Sequence, residues 1–369
     1  MSYKIHMKGR DDPRTPYQID RLYAWKHGKY FSPATVEISP TNACNQRCTY
    51  CYAWRESKSR EMLRDDILIG CFDQLADADV GGVVIQGTGE PLLHKALPEA
   101  IKRGASRHIP IQLTTNGVLL NAALQDEILQ HLYCLRISVI DNDPRRYADQ
   151  HGCNEKQWHT LVANLERAIA VRARSNLPFS TMATVYLSEN NVNDLYNCVR
   201  FCKEIGIDFV YVLEPQYTSY SPSGKRSHIS SHMANAGHDI DSVCEKILSL
   251  IDDNFFVKIK LYVKEHILSG ATKQTWKNDY CQGVKFYTLI GCDGEVYPCW
   301  RAWESKRYSF GSLYEKEFTE IWQGEKRRQI EEMIMRTPPD GDECLVCTIC
   351  LLNKMLDETS NVTKWVNFL

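Results

Sequence analysis

The chain has 369 residues, 43% of them hydrophobic and 24% charged, with a formal net charge of -2. That composition is ordinary for a soluble chain with a sizeable core, in one large domain or a large and a small one. It argues against a broad basic nucleic-acid surface, and no apolar run nears the roughly 20 residues of a membrane span. The polar opening "MSYKIHMKGRDDPRTPYQ" lacks the apolar segment of a secretory signal. A cytoplasmic protein without membrane or nucleic-acid partners is expected. In a reducing compartment the 15 cysteines point to metal or catalysis rather than to disulfides.

Residues 1 to 33 have few apolar periods and are expected to form an N-terminal extension. "TVEISPT" predicts the first strand, where β-branched residues alternate with polar ones. A helix follows near 62–78, where Leu63, Ile67, Leu68, Phe72 and Leu75 keep a helical period. The rhythm then repeats: strand "GGVVIQG", helix near 94–104, strand "IPIQLTT", helix near 121–131, strand "CLRISVI". It continues with a helix near 157–175, strand "FSTMATVYL", helix near 192–205 and strand "IDFVYVL". Strand–helix alternation with short connections predicts parallel βαβ units in an α/β fold, best fitted by a partial parallel (β/α)6 barrel. An open doubly wound sheet has the same pattern. In both, chemistry sits at the C-terminal ends of the strands.

After residue 214 the stretch "EPQYTSYSPSGKRSHISSHMANAG" has no apolar period and reads as a long loop, either a lid or a surface insertion. A helix near 239–252 and the strand "FVKIKLYV" follow. The expected division is an extension over 1–33, a barrel over 34–265 and a smaller cysteine-rich unit over 266–369.

The loop after the first strand, "ISPTNACNQRCTYCYAW", holds Cys44, Cys48 and Cys51. Three thiolates are one short of closing an iron–sulfur cubane, so one iron is left open to a small molecule. A zinc finger needs a fourth ligand nearby, and His27 is not at finger spacing. Six other cysteines, Cys71, Cys134, Cys153, Cys198, Cys202 and Cys244, are scattered through mostly apolar stretches and read as small buried residues.

"CNQRCTYC" resembles the cluster motif of the radical S-adenosylmethionine (radical SAM) enzymes. "GTGEP" (87–91), "LTTNG" (113–117) and "RISVI" (136–140) resemble that superfamily's motifs at the ends of the second, third and fourth strands, in the right order. The resemblance spans roughly residues 35–215. It implies that Cys44, Cys48 and Cys51 hold a 4Fe–4S cluster whose open iron binds S-adenosylmethionine (SAM). It implies contacts from Thr88, Gly89 and Glu90 to the methionine amino group and Tyr50 packing near the adenine. Asn116 belongs to the third-strand motif on the cofactor side, and Ser138 would bond the ribose. Many relatives carry Asp two residues beyond that Ser, where this chain has Ile140, with Asp141 one place late. The implied chemistry is reductive cleavage of SAM to a 5′-deoxyadenosyl radical that abstracts hydrogen from a C–H bond. An electron donor such as flavodoxin or ferredoxin is the implied protein partner.

Near the C-terminus Cys281, Cys292, Cys299, Cys344, Cys347 and Cys350 form a second group. Paired thiolates of this kind suit zinc or an iron–sulfur cluster. "DGEVYPC" reads as a hairpin turn, and "FGSLYEKEFTEIW" as a turn into an amphipathic helix. The region resembles the SPASM/twitch extension of radical SAM enzymes, with Cys281, Gly294 and Cys299 at its spacing. Cys350 follows Cys347 too soon for the full SPASM pattern, and no cysteine follows it. The shorter twitch arrangement is therefore expected, with one auxiliary 4Fe–4S cluster on Cys281, Cys299, Cys344 and Cys347, and Cys292 and Cys350 spare.

The expected activity is a radical SAM oxidoreductase or related enzyme acting on a small molecule: a sugar, aminocyclitol or nucleotide sugar, by dehydrogenation or epimerisation. The alternatives are a radical SAM maturase that modifies a ribosomally made peptide, and a zinc-stabilised α/β binding protein. His151, His228, His232 and His238 are candidate bases, and Lys225 and Arg226 candidate anion contacts.

Overall fold

A computed structural model describes residues 19–51, 59–214, 238–260, 281–300, 302–303 and 305–336, with Leu352 and Leu356. Strands β1 (Thr35–Ile38), β2 (Val83–Ile85), β3 (Ile111–Thr115), β4 (Cys134–Ile140), β5 (Ser180–Tyr186), β6 (Phe209–Leu213) and β7 (Phe256–Lys260) lie side by side in chain order. All their pairings are parallel. Consecutive right-handed crossovers put every connecting helix on the same face. Helix α1 (Ile19–Lys26) precedes the sheet, and the connecting helices are α2 (Asp65–Asp77), α3 (Leu97–Ser106), α4 (Ala122–Ile128), α5 (Pro144–His151), α6 (Glu155–Ser175), α7 (Leu195–Glu204) and α8 (Ile240–Leu248). Of the segment read as a seventh strand, "FVKIKLYV", the described part, Phe256–Lys260, extends the barrel wall as β7, and residues 261–263 lie outside the described residues.

Alternation along each strand divides the sheet into two chemically distinct faces. Leu135, Ile137 and Val139 of β4 join Val210 and Val212 of β6 in the apolar core under the helices. The residues between them, such as Arg136 and Ser138, are half-buried on the opposite, inner face.

The sheet does not end at β1. Strand β8 (Tyr287–Ile290) pairs with β1 in parallel, Ile38 opposite Ile290. It turns through Gly294 into antiparallel β9 (Glu295–Tyr297), and β10 (Gly311–Ser312) completes the ten-stranded order β10-β9-β8-β1-β2-β3-β4-β5-β6-β7. Among the described residues the sheet has edges at β10 and β7, so the barrel is partial. The hairpin predicted from "DGEVYPC" is present, and Gly294 takes the left-handed φ of +75° that its turn requires. Helices α9 (Phe318–Gln323) and α10 (Glu325–Arg336) follow. The Phe318 amide donates to Gln74 Oε1 of α2 at 2.8 Å, and Trp322 Nε1 to the Phe31 carbonyl at 3.1 Å. The C-terminal segment thus packs directly on the barrel.

Helix α5 has no counterpart in the periodicity reading. It has an Asp143 N-cap accepting from the Arg146 amide at 2.8 Å, Pro144 in its first turn and left-handed Gly152 as its C-cap. It buries only Tyr147, Ala148 and His151, too few for a visible period. The predicted helix near 121–131 is α4 followed by a 3-10 turn at Leu129–His131. Most of the long loop (215–237), with Lys225, Arg226, His228 and His232, lies outside the described residues, as do Cys344, Cys347 and Cys350. Among the described residues no helix is long and apolar enough to cross a membrane.

Candidate active site

The cysteine loop leaves the C-terminal end of β1 and is fastened on both flanks. On one side the Ser39 amide donates to the Ile290 carbonyl of β8 at 2.9 Å. The Thr41 hydroxyl accepts from the Ala43 amide and donates to the Glu61 carbonyl, each at 2.9 Å. On the other side the loop lies along α5: the Arg47 amide donates to the His151 carbonyl at 2.8 Å and the Thr49 amide to the Gln150 carbonyl at 2.9 Å. Gln46 Nε2 donates to the Tyr147 hydroxyl at 2.9 Å and to Gln157 at 3.0 Å. Between these anchors the side chains of Cys44, Cys48 and Cys51 are half-buried, whereas Cys71, Cys134, Cys198, Cys202 and Cys244 are fully buried.

The three sulfurs influence one another. Burial first, then the charges of Cys51 and Cys44, push the Cys48 thiol well above its ordinary range. Burial likewise raises Cys44, with Glu90 adding to it. A bound metal reverses this, because it deprotonates a coordinating thiol outright. No three described ligands converge on a single metal ion. A cubane does not require that, since each thiolate binds a different iron. The donor set, three accessible sulfur ligands on one braced loop, fits such a cluster.

The second-strand turn packs against this loop. The Glu90 amide donates to the Ala43 carbonyl at 2.8 Å. A Cβ on Gly89 would meet the Ala43 carbonyl oxygen at 2.2 Å and the Asn42 carbonyl carbon and Thr41 carbonyl oxygen at 2.6 Å, so only glycine fits that approach. Thr88 Oγ1 lies 3.3 Å from Ser39 Oγ and 3.5 Å from Asn42 Oδ1. The buried Glu90 carboxylate accepts from Thr115 Oγ1 at 2.5 Å, from the Asn116 amide at 2.9 Å and from the Leu92 amide at 3.1 Å. Burial raises its pKa, and the bonds from Thr115, Asn116 and Leu92 oppose that. Asn116 Nδ2 donates to Asn45 Oδ1 at 2.7 Å, tying the β3 loop to the cysteine loop. Ser138 stands on the inner face of β4, and Tyr50 lies on the other flank.

Tyr50 is more embedded than the sequence suggests. Its hydroxyl is 2.9 Å from His151 Nε2, and its ring meets Tyr186 edge-on with centroids 4.8 Å apart. Burial pushes its phenol well up, with the Cys48 sulfur, which it also faces, next in effect. His151 is buried, its pKa lowered by burial to about 3, and its Nδ1 has no hydrogen-bond partner. It is a neutral support behind Tyr50 rather than an exposed base. His238 lies at the start of α8, away from this loop in the sequence.

Ile140 takes φ +62°, which is strained for a β-branched residue, at a register shift between β4 and β5. Asp141 next to it is fully buried. Its carboxylate accepts from Arg146 Nε at 3.0 and 3.1 Å and from Asn191 Nδ2 at 3.1 Å, and its carbonyl accepts from Trp158 Nε1 at 3.2 Å. Asp141 therefore locks the strand end and is not directed at a ligand. Neither this node nor the Tyr50–His151 pair was identified from the sequence, because their partners come from distant segments.

In the C-terminal group Cys281 precedes a 3-10 turn and is half-buried, and Cys299 is buried after β9. Cys292, in the β8–β9 turn, donates to Asn42 Oδ1 at 2.8 Å. That bond ties it to the first cysteine loop.

A parallel α/β partial barrel with three cysteines on its first loop, backed by a glycine turn and a buried glutamate, defines an iron–sulfur protein with its chemistry at the strand ends. The Radical SAM superfamily model matches residues 38–202, and the SPASM iron–sulfur cluster-binding domain model matches residues 281–350. The chain belongs to the radical SAM superfamily and is a radical SAM enzyme with 4Fe–4S clusters, SAM and a SPASM-type extension. It is 26% identical over 270 residues to a probable GTP 3',8-cyclase of Methanococcus vannielii, covering 72% of this chain and 84% of that one. It is 21% identical over 341 residues to a cysteine-type anaerobic sulfatase-maturating enzyme of Clostridium perfringens, covering 86% and 88%. Among solved structures, Streptococcus suis SuiB bound to precursor peptide SuiA matches with TM-score 0.65 at 17% identity, covering 94% of this chain and 77% of that one. Native anSMEcpe with bound AdoMet matches with TM-score 0.57 at 16% identity, covering 90% and 100%. At such identities the structural likeness establishes the fold. The family assignment sets aside the zinc-stabilised binding protein.

Proposed function

We propose that Cys44, Cys48 and Cys51 hold the SAM-binding cluster, with Thr88, Gly89 and Glu90 receiving the methionine amino group and Asn116, Ser138 and Tyr50 bounding the rest of SAM. The observation that carries this is the approach of the Gly89 turn to the cysteine loop, with the Glu90 amide bonded to the carbonyl of Ala43, the residue before Cys44. Three donors hold the Glu90 carboxylate in place, and an ammonium group supplies the cation that favours its ionised form. Cys281, Cys299, Cys344 and Cys347 hold the auxiliary cluster, and the chain divides near residues 33 and 265. When bound, the reduced cluster and SAM supply a 5′-deoxyadenosyl radical that takes hydrogen from a substrate carbon. The loop anchors on β8 and α5 fix the thiols, and the inner face orients the substrate and excludes water.

The substrate is a small molecule of the sugar, aminocyclitol or nucleotide-sugar class, dehydrogenated or epimerised, with flavodoxin or ferredoxin as electron donor. Support comes from the inner face, where Glu37, Gln112, Arg136, Tyr211 and Lys258 provide closely spaced polar groups suited to a compact polar molecule. The second reading, a peptide maturase, draws on the sulfatase-maturating relative and on the SuiB structure with its precursor peptide. Anaerobic reconstitution tests the cluster assignment. About eight irons per chain are expected, and about four in Cys344→Ala, for two cubanes; about four in the wild type contradicts the auxiliary site. Deuterium transfer into 5′-deoxyadenosine from labelled sugars, against labelled precursor peptides, separates the two substrate classes.

A further inference from the structure

On β4, β6 and β7 three polar residues alternate with core positions. Arg136 lies between Leu135 and Ile137, Tyr211 between Val210 and Val212, and Lys258 between Val257 and Ile259, and these neighbours pack in the apolar cluster under the helices. Arg136, Tyr211 and Lys258 therefore stand on the inner face with Ser138. Register places Thr184 beside Tyr211 and Tyr211 beside Lys258. Arg136 Nε donates to Thr184 Oγ1 at 3.1 Å. The Arg136 guanidinium carbon lies 5.3 Å, and Lys258 Nζ 6.0 Å, from the centroid of the Tyr211 ring.

Two half-buried cations thus share one aromatic ring, and among the described residues neither forms an ion pair with a carboxylate. The inner-wall acid on β1, Glu37, is engaged by the Tyr287 hydroxyl and Gln86, and Arg136 is the weakest of the influences on its proton. Holding two like charges together, partly out of water, without a counter-ion is unfavourable. A bound anion relieves both costs. The ring and Thr184 hold the guanidinium in place and leave further N–H groups, which match the oxygens of a phosphate or a carboxylate. Adjacent strands are about 4.8 Å apart, so Tyr211 on β6 lies roughly 10 Å from Ser138 on β4, the length of a sugar ring and one substituent.

We propose that Arg136 and Lys258, seated against Tyr211, form an anion subsite that holds a phosphate or carboxylate of the substrate while its reacting carbon lies toward Ser138. This rests on the reading of the inner face as a small-molecule site. The full chain, reconstituted anaerobically and saturated with SAM, is titrated calorimetrically with uridine diphosphate, glucose 6-phosphate, glucuronate and, as the neutral control, glucose. At least one charged probe is expected to bind more tightly than glucose. Arg136→Gln and Lys258→Gln are each expected to weaken it about tenfold, the loss of one charge-assisted hydrogen bond. Arg136→Lys, which keeps the charge, retains more affinity than Arg136→Gln. Iron content and melting temperature report whether each variant is folded.

Binding of the two phosphorylated probes assigns a phosphate, and binding of glucuronate alone assigns a carboxylate. The proposal is overturned if no charged probe binds better than glucose, or if the double glutamine variant binds like wild type. Formation of 5′-deoxyadenosine by the wild-type chain with reductant and no substrate tests the radical reading separately. Its absence sinks that reading, whereas its presence without anion binding sinks only the subsite.

Discussion

Replacing Gly89 by alanine tests the approach on which the site is built. The added Cβ would sit 2.2 Å from the Ala43 carbonyl oxygen, against the 3.0 Å below which real Cβ atoms essentially never fall, so the loops must separate by at least about 0.8 Å. The atoms in the way are backbone, not flexible side-chain ends. That displacement also disturbs the 2.8 Å bond from the Glu90 amide to the same carbonyl. Overpacking and a lost hydrogen bond together cost roughly 2–4 kcal/mol. Misplacing Glu90 and the thiols by nearly 1 Å lowers turnover on the order of 100-fold. Gly70→Ala is the matched control: it lies inside α2 with nothing within 4 Å of its new Cβ. It is expected to stabilise the chain by about 0.5–1 kcal/mol. Urea unfolding of the apo chains, with iron uptake and SAM binding after reconstitution, measures both. If Gly89→Ala unfolds at the wild-type midpoint and takes up iron and SAM normally, the close approach is not what shapes the site.

Asp141→Ala removes one of the two carboxylates on Arg146, which keeps Asp194 at 2.6 Å, and should cost about 1–3 kcal/mol, read as an earlier urea midpoint. Tyr50→Phe removes the hydrogen-bond partner of the buried His151 Nε2; a loss of about 1–3 kcal/mol is expected in the apo chain. His151, with its pKa lowered to about 3, gives a pH signature. Below about pH 6.5 the unfolded chain binds a proton that the folded chain refuses, so this stability is full above that pH and is lost as pH falls toward 3, by about 1.4 kcal/mol per unit. Buried Glu37 and Glu90 have raised pKa values and work in the opposite sense, so the comparison is wild type against His151→Phe. Equal acid slopes for the two proteins would refute the assignment.

The order of strands and helices was legible because each strand carries its own run of β-branched or apolar residues and each crossover its own helical period. The cysteine loop was legible because its spacing is local. Whether the sheet closes was not, since closure depends on twist and on edge partners rather than on pattern. The pairing of β8 with β1 joins residues 252 positions apart, such as Ile38 and Ile290, and nothing near either one signals it. Helix α5 is announced by its caps, Asp143, Pro144 and Gly152, but not by periodicity, so a reading based on apolar spacing passes over it. The Asp141 node draws partners from α5, α6 and the β5–α7 connection, and the sequence shows only an aspartate one place from where relatives carry theirs. Tyr50 was legible as an aromatic next to Cys51, but its bond to His151 depends on how α5 lies along the loop.

The pairing of β1 with β8 also bears on the order in which the protein is assembled. Strand β1 is made early, yet its second edge stays open until the chain has been synthesised past Ile290. Until then the cysteine loop hangs from a strand paired only with β2, and an unpaired strand edge is prone to misassociation. The Ser39 amide that begins the loop has its β8 acceptor only after that point. Bracing of the first cysteine loop on that side therefore waits for synthesis of the C-terminal extension. A chain truncated before residue 281 would lose more than an auxiliary redox centre. It would also lose the strand that finishes the barrel beside the radical-generating site.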